Sequence, residues 1–101
     1  MRLLRLPDFS AWLGELNAKS QAQVEARLLR VRDHGHFGDH RYLGDGLAEL
    51  RWKNGWRVYF ARVEVSGGDA VLLILGGSKN GQQKDIRKAR TILQHYAASE
   101  D

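Results

Sequence analysis

The chain contains no cysteine. It therefore offers no disulfide framework, no thiolate zinc site and no thiol nucleophile. That absence fits a reducing compartment, and a cytoplasmic location is expected. Proline occurs once, at Pro7. Long apolar runs are also missing. The strongest, Ala70 to Leu75, is far too short to cross a bilayer, so no membrane partner is expected. The opening Met1-Arg2-Leu3-Leu4-Arg5-Leu6-Pro7-Asp8 is too short and too charged for a secretory signal. No repeat, linker or low-complexity segment interrupts the sequence. No Ser-His-Asp set, paired carboxylates or Cys-His pair stands out.

What is present describes one small domain. A chain of 101 residues, 43% of them hydrophobic, can bury a single core built from a sheet and a few helices. The formal net charge of +4 favours an anionic partner, either nucleic acid or an acidic protein.

Leu3 to Leu6 reads as a short first strand ended by Pro7. Phe9, Trp12, Leu13 and Leu16 then fall at i, i+3, i+4 and i+7, the stripe of an amphipathic helix, with Asp8 as its N-cap. Ser20 and Gln23 resemble a capping box for a second helix. Its apolar face uses Val24, Leu28 and Val31, its polar face Arg27, Arg30 and Arg32, and Gly35 stops it. The short link between the two helices predicts an antiparallel pair. His34 to Asp45 reads as a glycine-containing loop, and Leu47 to Val65 as a β-hairpin. Ser66-Gly67-Gly68-Asp69 is a second turn. Ala70 to Leu75 shows no alternation, so it should be a strand buried on both faces. A last helix starts near Asn80, with Ile86, Ala89, Leu93 and Tyr96 as its buried stripe.

The hairpin carries the sharpest inference. A two-residue loop, Asn54-Gly55, would pair Trp52 with Arg57. A three-residue loop, Lys53-Asn54-Gly55, pairs Trp52 with Trp56, Arg51 with Arg57 and Glu49 with Tyr59. A one-residue slip moves every side chain of a strand to the other face. Only the longer loop sorts the faces, with Leu50, Trp52, Trp56, Val58 and Phe60 toward the core. Glu49, Arg51, Arg57 and Tyr59 then share the opposite face, and Gly55 takes the left-handed bulge position. Two arginines, a carboxylate and a phenol on one rigid surface can handle phosphate.

Other clusters are read against simpler roles. His34, His36 and His40 lie in a loop whose spacing matches no helical ligand pair, so it is read as a polar loop, with acid–base work on RNA and a metal site as alternatives; no metal and no cofactor are expected. Gly76-Gly77-Ser78-Lys79-Asn80-Gly81 has the order strand, glycines, lysine, helix start, yet not the spacing of a Walker loop. Lys79 is expected beside the hairpin face, because the buried strand should lie next to the second hairpin strand. Trp12, Trp52 and Trp56 suit a core better than base stacking. Lys84, Arg87, Lys88 and Arg90 form an outer helical face that attracts phosphate without specificity.

An ordered series of segments runs through the chain. It comprises Phe9-x-x-Trp12-Leu13, Gly38-Asp39, Gly44-x-Gly46-Leu47-x-Glu49-Leu50-Arg51 and Trp56-Arg57-Val58-Tyr59-Phe60. Leu72 to Leu75 with Gly76-Gly77, then Lys79, then Gln82-Gln83-Lys84-Asp85-Ile86 complete it. From residue 9 to about residue 90, this series resembles the addiction-module killer proteins, a phage-derived, HigB-like branch of the RelE/ParE toxin superfamily. The resemblance implies an α+β fold, with two N-terminal helices packed on a small antiparallel sheet and a C-terminal helix. It also implies a toxin of a type II toxin–antitoxin system, held by a cognate antitoxin of helix-turn-helix type. RelE-like members imply cleavage of mRNA on the ribosome; ParE-like members imply inhibition of DNA gyrase. Arg51, Arg57 and Lys79 match the basic positions of the RNA-cleaving members. The pattern departs in four places. Lys53-Asn54-Gly55-Trp56 replaces the usual Gly-Pro-Gly-Tyr turn, and Ser78 replaces an aspartate. Asn80-Gly81 replaces a Ser/Thr pair, and no aromatic stands near the start of the last helix.

In such cleavage the neighbouring 2′-OH attacks phosphorus. Arginine suits the charge that develops, because it grips phosphate through paired donors. Arg51 and Arg57 are thus the expected charge-stabilising residues, with Lys79 sharing that role or donating a proton, Glu49 as the base and Tyr59 as a stacking or donating group. Free tyrosine titrates near about 10 and is a poor base unless perturbed. Lys53, Lys84 and Arg87 are the expected RNA-binding cations. Three functions stay open at this point: a ribosome-dependent mRNA endonuclease, a non-enzymatic gyrase inhibitor, and an inactive module that binds RNA or antitoxin.

Overall fold

The computed structural model describes residues 1–99. The elements, in order, are strand β1 (Arg2–Arg5), helices α1 (Pro7–Glu15) and α2 (Ala18–His34), strands β2 (His40–Gly44), β3 (Leu47–Arg51), β4 (Trp56–Val65) and β5 (Gly68–Ser78), a 3-10 turn (Lys79–Gly81) and helix α3 (Gln82–Ser99). The strands form one sheet in the order β1-β5-β4-β3-β2. Among the described residues no helix is long and apolar enough to cross a membrane.

Local chemistry sets the helix ends. Pro7 occupies the first turn of α1, where its missing N–H costs nothing, and Asp8 follows inside that turn instead of capping it. Asn17, not Ser20, caps α2: its side-chain oxygen accepts from the Ser20 N–H at 2.8 Å. Gly35 closes α2 in the left-handed region, as its position predicted.

The sheet is larger than the small antiparallel one expected, and the arrangement differs. The chain enters on a strand, and β1 pairs parallel with β5 while the remaining neighbours are antiparallel. Strand β2 lies in a segment expected to be loop. His40, Arg41 and Tyr42 are exposed, so this edge strand has no apolar alternation to announce it. It is held by antiparallel pairing of His40 with Leu50, Arg41 with Glu49 and Tyr42 with Ala48.

Helices α1 and α2 cover one face. Phe9, Leu13, Val24, Leu28 and Val31 pack there on Ala48, Leu50, Val58, Phe60, Val71 and Leu73. Helix α3 covers the other, where Ala89, flanked by Ile86, Leu93 and Tyr96, packs with Leu47, Tyr59, Ala61, Leu72, Ile74 and Leu75. Strand β5 is buried on both faces, which is why its sequence does not alternate. The β4–β5 register shifts between Tyr59 and Phe60, and Ile74 and Leu75 consequently both belong to the α3 side.

Candidate functional site

The hairpin closes through Lys53-Asn54-Gly55. Trp52 N–H donates to the Trp56 carbonyl at 3.0 Å, and Gly55 N–H to the Trp52 carbonyl at 3.0 Å. Asn54 supports the turn by accepting from the Trp56 N–H at 3.1 Å, and Gly55 has φ 103°, which a side chain would resist. Arg51 lies opposite Arg57, Glu49 opposite Tyr59, and Leu50 opposite Val58. Trp52 packs on the α1/α2 core, and Trp56 meets Trp12 edge-on at 5.9 Å between ring centroids. Both tryptophans are half-buried, on the face expected for them.

The end of β5 is tied to this loop. Lys79 N–H donates to the Gly55 carbonyl at 2.8 Å, and its aliphatic stem lies over Gly55. Gly76 and Gly77 make room on opposite sides. A methyl at Gly76 would lie 2.0 Å from the Trp12 ring, and one at Gly77 only 2.1 Å from an Asp85 carboxylate oxygen. The double glycine thus lets α1 and α3 both approach the strand that leads into Lys79.

Glu49 is fully buried. The Gln82 amide donates to its two oxygens at 2.6 and 2.8 Å, with Arg41 Nη2 at 3.5 Å and Arg57 Nε at 4.0 Å. A carboxylate so enclosed has no path to a substrate hydroxyl. It holds Arg57 and Arg41 in place, where the sequence suggested a base. The Arg57 side chain is only 14% exposed. Its Nη1 donates to the Trp56 carbonyl at 3.0 Å and the Trp52 carbonyl at 3.4 Å, so the guanidinium also braces the turn. Arg51, 36% exposed, leans on Asp39 at 3.6 Å.

Tyr59 sits on the expected face but is completely buried beneath α3. Its hydroxyl finds no hydrogen-bond partner among the described residues. Burial first, then the Glu49 and Asp85 carboxylates, push its ionisation far up. It remains a neutral phenol within the core, away from any base it could stack on. The Asp85 carboxyl is also raised, by burial, with Lys84 and Lys88 pulling the other way.

Lys53, Lys79, Lys84 and Arg87 are at least partly exposed. Arg90, expected on the same outer helical face, instead donates to the Leu43 carbonyl at 2.7 Å and the Gly44 carbonyl at 3.0 Å, anchoring α3 to the β2–β3 turn. The His40 ring contacts Phe37 and lies 2.8 Å from the Gly38 carbonyl, and no three metal-ligating side chains converge among the described residues. Gln82 and Asp85 stood in a segment of the resemblance without a role of their own, and Arg41 was not singled out from the sequence. Gln82 and Asp85 extend the Ile86–Ala89–Leu93 stripe upstream by helical spacing, a signal that could have marked them. Arg41 carries no such signal.

The sheet order and the helices packed on its two faces define an α+β domain with the fold of the RelE toxin. The crystal structure of the isolated E. coli RelE toxin superimposes with a TM-score of 0.62 over 86% of this chain and 96% of that one, at 12% sequence identity. No protein-family model matches the chain. An uncharacterized protein of Haemophilus influenzae strain Rd is 38% identical over 89 residues, covering 85% of this chain and 86% of that protein, and the chain belongs to the same family.

Proposed function

We propose that this protein is the toxin of a type II toxin–antitoxin system, of the addiction-module killer branch. It acts in the cytoplasm as a ribosome-dependent mRNA endonuclease. The observation that carries this reading is the juxtaposition of Arg51, Arg57 and Lys79. The two arginines face each other across β3 and β4, and Lys79 is bonded to the loop that joins those strands. The RelE-like fold supports it.

In this reading Arg51 and Lys79 meet the scissile phosphate from the open side and stabilise charge as the 2′-oxygen attacks and the 5′-oxygen leaves. Arg57 adds field from below and keeps the turn in shape. Glu49 and Gln82 position Arg57. Asp85, lying against Gly77, is the carboxyl we assign to proton transfer at this end of the sheet, in place of Glu49. With so few groups, much of the rate must come from substrate geometry, which the ribosome would impose. Lys53, Lys84 and Arg87 would contribute phosphate attraction. The cognate antitoxin, of helix-turn-helix type, would lay an acidic or amphipathic segment over the basic surface.

The deciding experiment is brief induction followed by mapping of transcript 5′ ends, with gyrase supercoiling measured in parallel. Cuts inside translated regions, abolished in Lys79→Ala, are expected. Intact transcripts with blocked supercoiling would replace this reading by gyrase inhibition. Neither effect would leave a module without activity of its own.

A further inference from the structure

An open groove of about 810 Å³ runs between α2 and the tip of the β3–β4 hairpin. Its cations are Arg27, Arg30, Arg51 and Lys53, against the single carboxylate of Asp39, with His36 on the same wall. Arg27 is the floor. Sequence reasoning placed it on the solvent face of α2, but it is 8% exposed, and its guanidinium stacks on the Trp52 ring at 4.5 Å. It donates to the carbonyls of Phe37 (2.7 Å), Asp39 (2.5 Å) and Arg51. These partners are neutral, so they satisfy its N–H groups without cancelling its charge. Asp39 is itself engaged by Arg51 at 3.6 Å. Arg30 and Lys53 are exposed and have no acidic partner among the described residues. The groove therefore holds an excess of positive charge around a buried cation, the arrangement that attracts a polyanion.

We propose that this groove binds the phosphodiester backbone of single-stranded RNA, and that Arg51, shared by its wall and by the candidate site, joins the two. The inference deepens the endonuclease reading and rests on it for the identity of the polymer. A single strand suits the groove better than a duplex. Half-buried Trp52, stiffened by Arg27, and exposed His36 offer flat surfaces to unstacked bases, which a duplex keeps inside. The Asn54 and Gln23 amides, 3.4 Å apart at the lip, add polar groups for sugar or base edges.

The test measures anisotropy of a labelled single-stranded RNA of about 12 nucleotides, within the usual span of single-strand sites, with the isolated full chain, without ribosomes, over a salt series. Arg30→Glu in the groove is compared with Arg2→Glu on β1, which makes the same charge change at the opposite edge of the sheet. Both positions are exposed, so both variants should fold, which thermal melting checks. Arg30→Glu is expected to weaken binding at least about tenfold and to flatten the salt slope by roughly 0.7 for each phosphate it no longer neutralises. Arg2→Glu should change affinity less than about twofold, as an unspecific long-range charge does at physiological salt. Equal weakening in the two variants, no binding by the parent, or equal affinity for a hairpin duplex would overturn the proposal. The two readings fail separately. An Arg30→Glu protein that binds RNA as its parent does removes the groove whatever happens to transcripts. Groove binding with intact transcripts removes the endonuclease alone.

Discussion

Toward α1 and α2 the sheet presents Leu50, Val58, Phe60, Val71 and Leu73, a layer filled by apolar side chains. Toward α3 the same strands present Leu72 and Ile74, but also Glu49, Arg57 and Tyr59. The first side is ordinary hydrophobic closure, worth about 25 cal/mol for each Å² of apolar surface removed from water. On the second side the closure is partly ionic. A buried carboxylate is matched by one amide and two guanidinium groups, an arrangement stable only while every partner is present. The contrast teaches where to look for function. A fold that needed only stability could have filled both sides alike, and the costly polar layer lies beside the cations at the hairpin tip.

Substitutions that break each side should lower stability by different routes. Phe9→Ala empties part of the apolar side and is expected to cost about 3–5 kcal/mol. Glu49→Ala should cost a similar amount, about 3–5 kcal/mol, because it strands the buried Arg57 guanidinium. The double variant Glu49→Ala with Arg57→Ala should be destabilised by less than the sum of the single effects, by roughly 0.5–3 kcal/mol, whereas Phe9→Ala with Arg57→Ala should add. Urea unfolding of the set measures this, and additivity in the Glu49–Arg57 pair would remove the ionic side from the comparison.

Lys79→Ala touches neither side. Cleavage is expected to fall roughly 100- to 1000-fold, as when one preorganised charge-stabilising group is removed, while unfolding shifts by less than about 0.5 kcal/mol. Parental cutting by the folded variant would move the site elsewhere. Arg57→Ala is less clean than its position in the sequence implied, since its guanidinium also braces the turn.

Tyr59→Phe separates a buried phenol from a catalytic one. Its hydroxyl is buried without a hydrogen-bond partner among the described residues, so removal should leave stability unchanged or raise it by up to about 1 kcal/mol, with activity retained. A folded Tyr59→Phe protein that no longer cuts would restore the role the sequence suggested.

The smallest effect concerns Asp85. Its folded-state ionisation is raised, chiefly by burial. The native state therefore binds the proton more tightly than the unfolded chain. Its contribution to stability is full below the unfolded value and disappears as pH rises through the folded one. Asp85→Asn should accordingly stabilise the protein more near neutral pH than in acid at about pH 3, below the ordinary carboxylate range, measured by thermal melts at both. An effect that does not change with pH would return Asp85 to a purely packing role.

The hairpin was legible from sequence because alternation and the Asn54-Gly55 signal agreed on one register. Strand β5 was legible because burial on both faces leaves an unbroken apolar run. Strand β2 was not, since an exposed edge selects no apolar residues. The pairing of Arg51 with Arg57 and the attachment of Lys79 to the hairpin loop could be reasoned from register and strand adjacency. The enclosure of Glu49 could not, because its partners Arg41 and Gln82 come from a strand without periodicity and from a helix far along the chain. Arg27 misled for a related reason. A charged residue on a helix is read as solvated, and only the tertiary fold shows carbonyls of the Phe37–Asp39 segment and Arg51 waiting for its donors.

The parallel pairing of β1 with β5 sets the order in which the molecule can be completed. Arg2 pairs with Ala70 and Arg5 with Leu73, so β1 has no partner until β5, some 68 positions further along, has been made. Such long-range closure is slow and comes late. Until then β1 and its neighbouring helices lack the strand they pack on, and Lys79 has not yet reached the hairpin tip. The sheet edge and the hairpin tip are therefore completed by the same late event, the docking of β5.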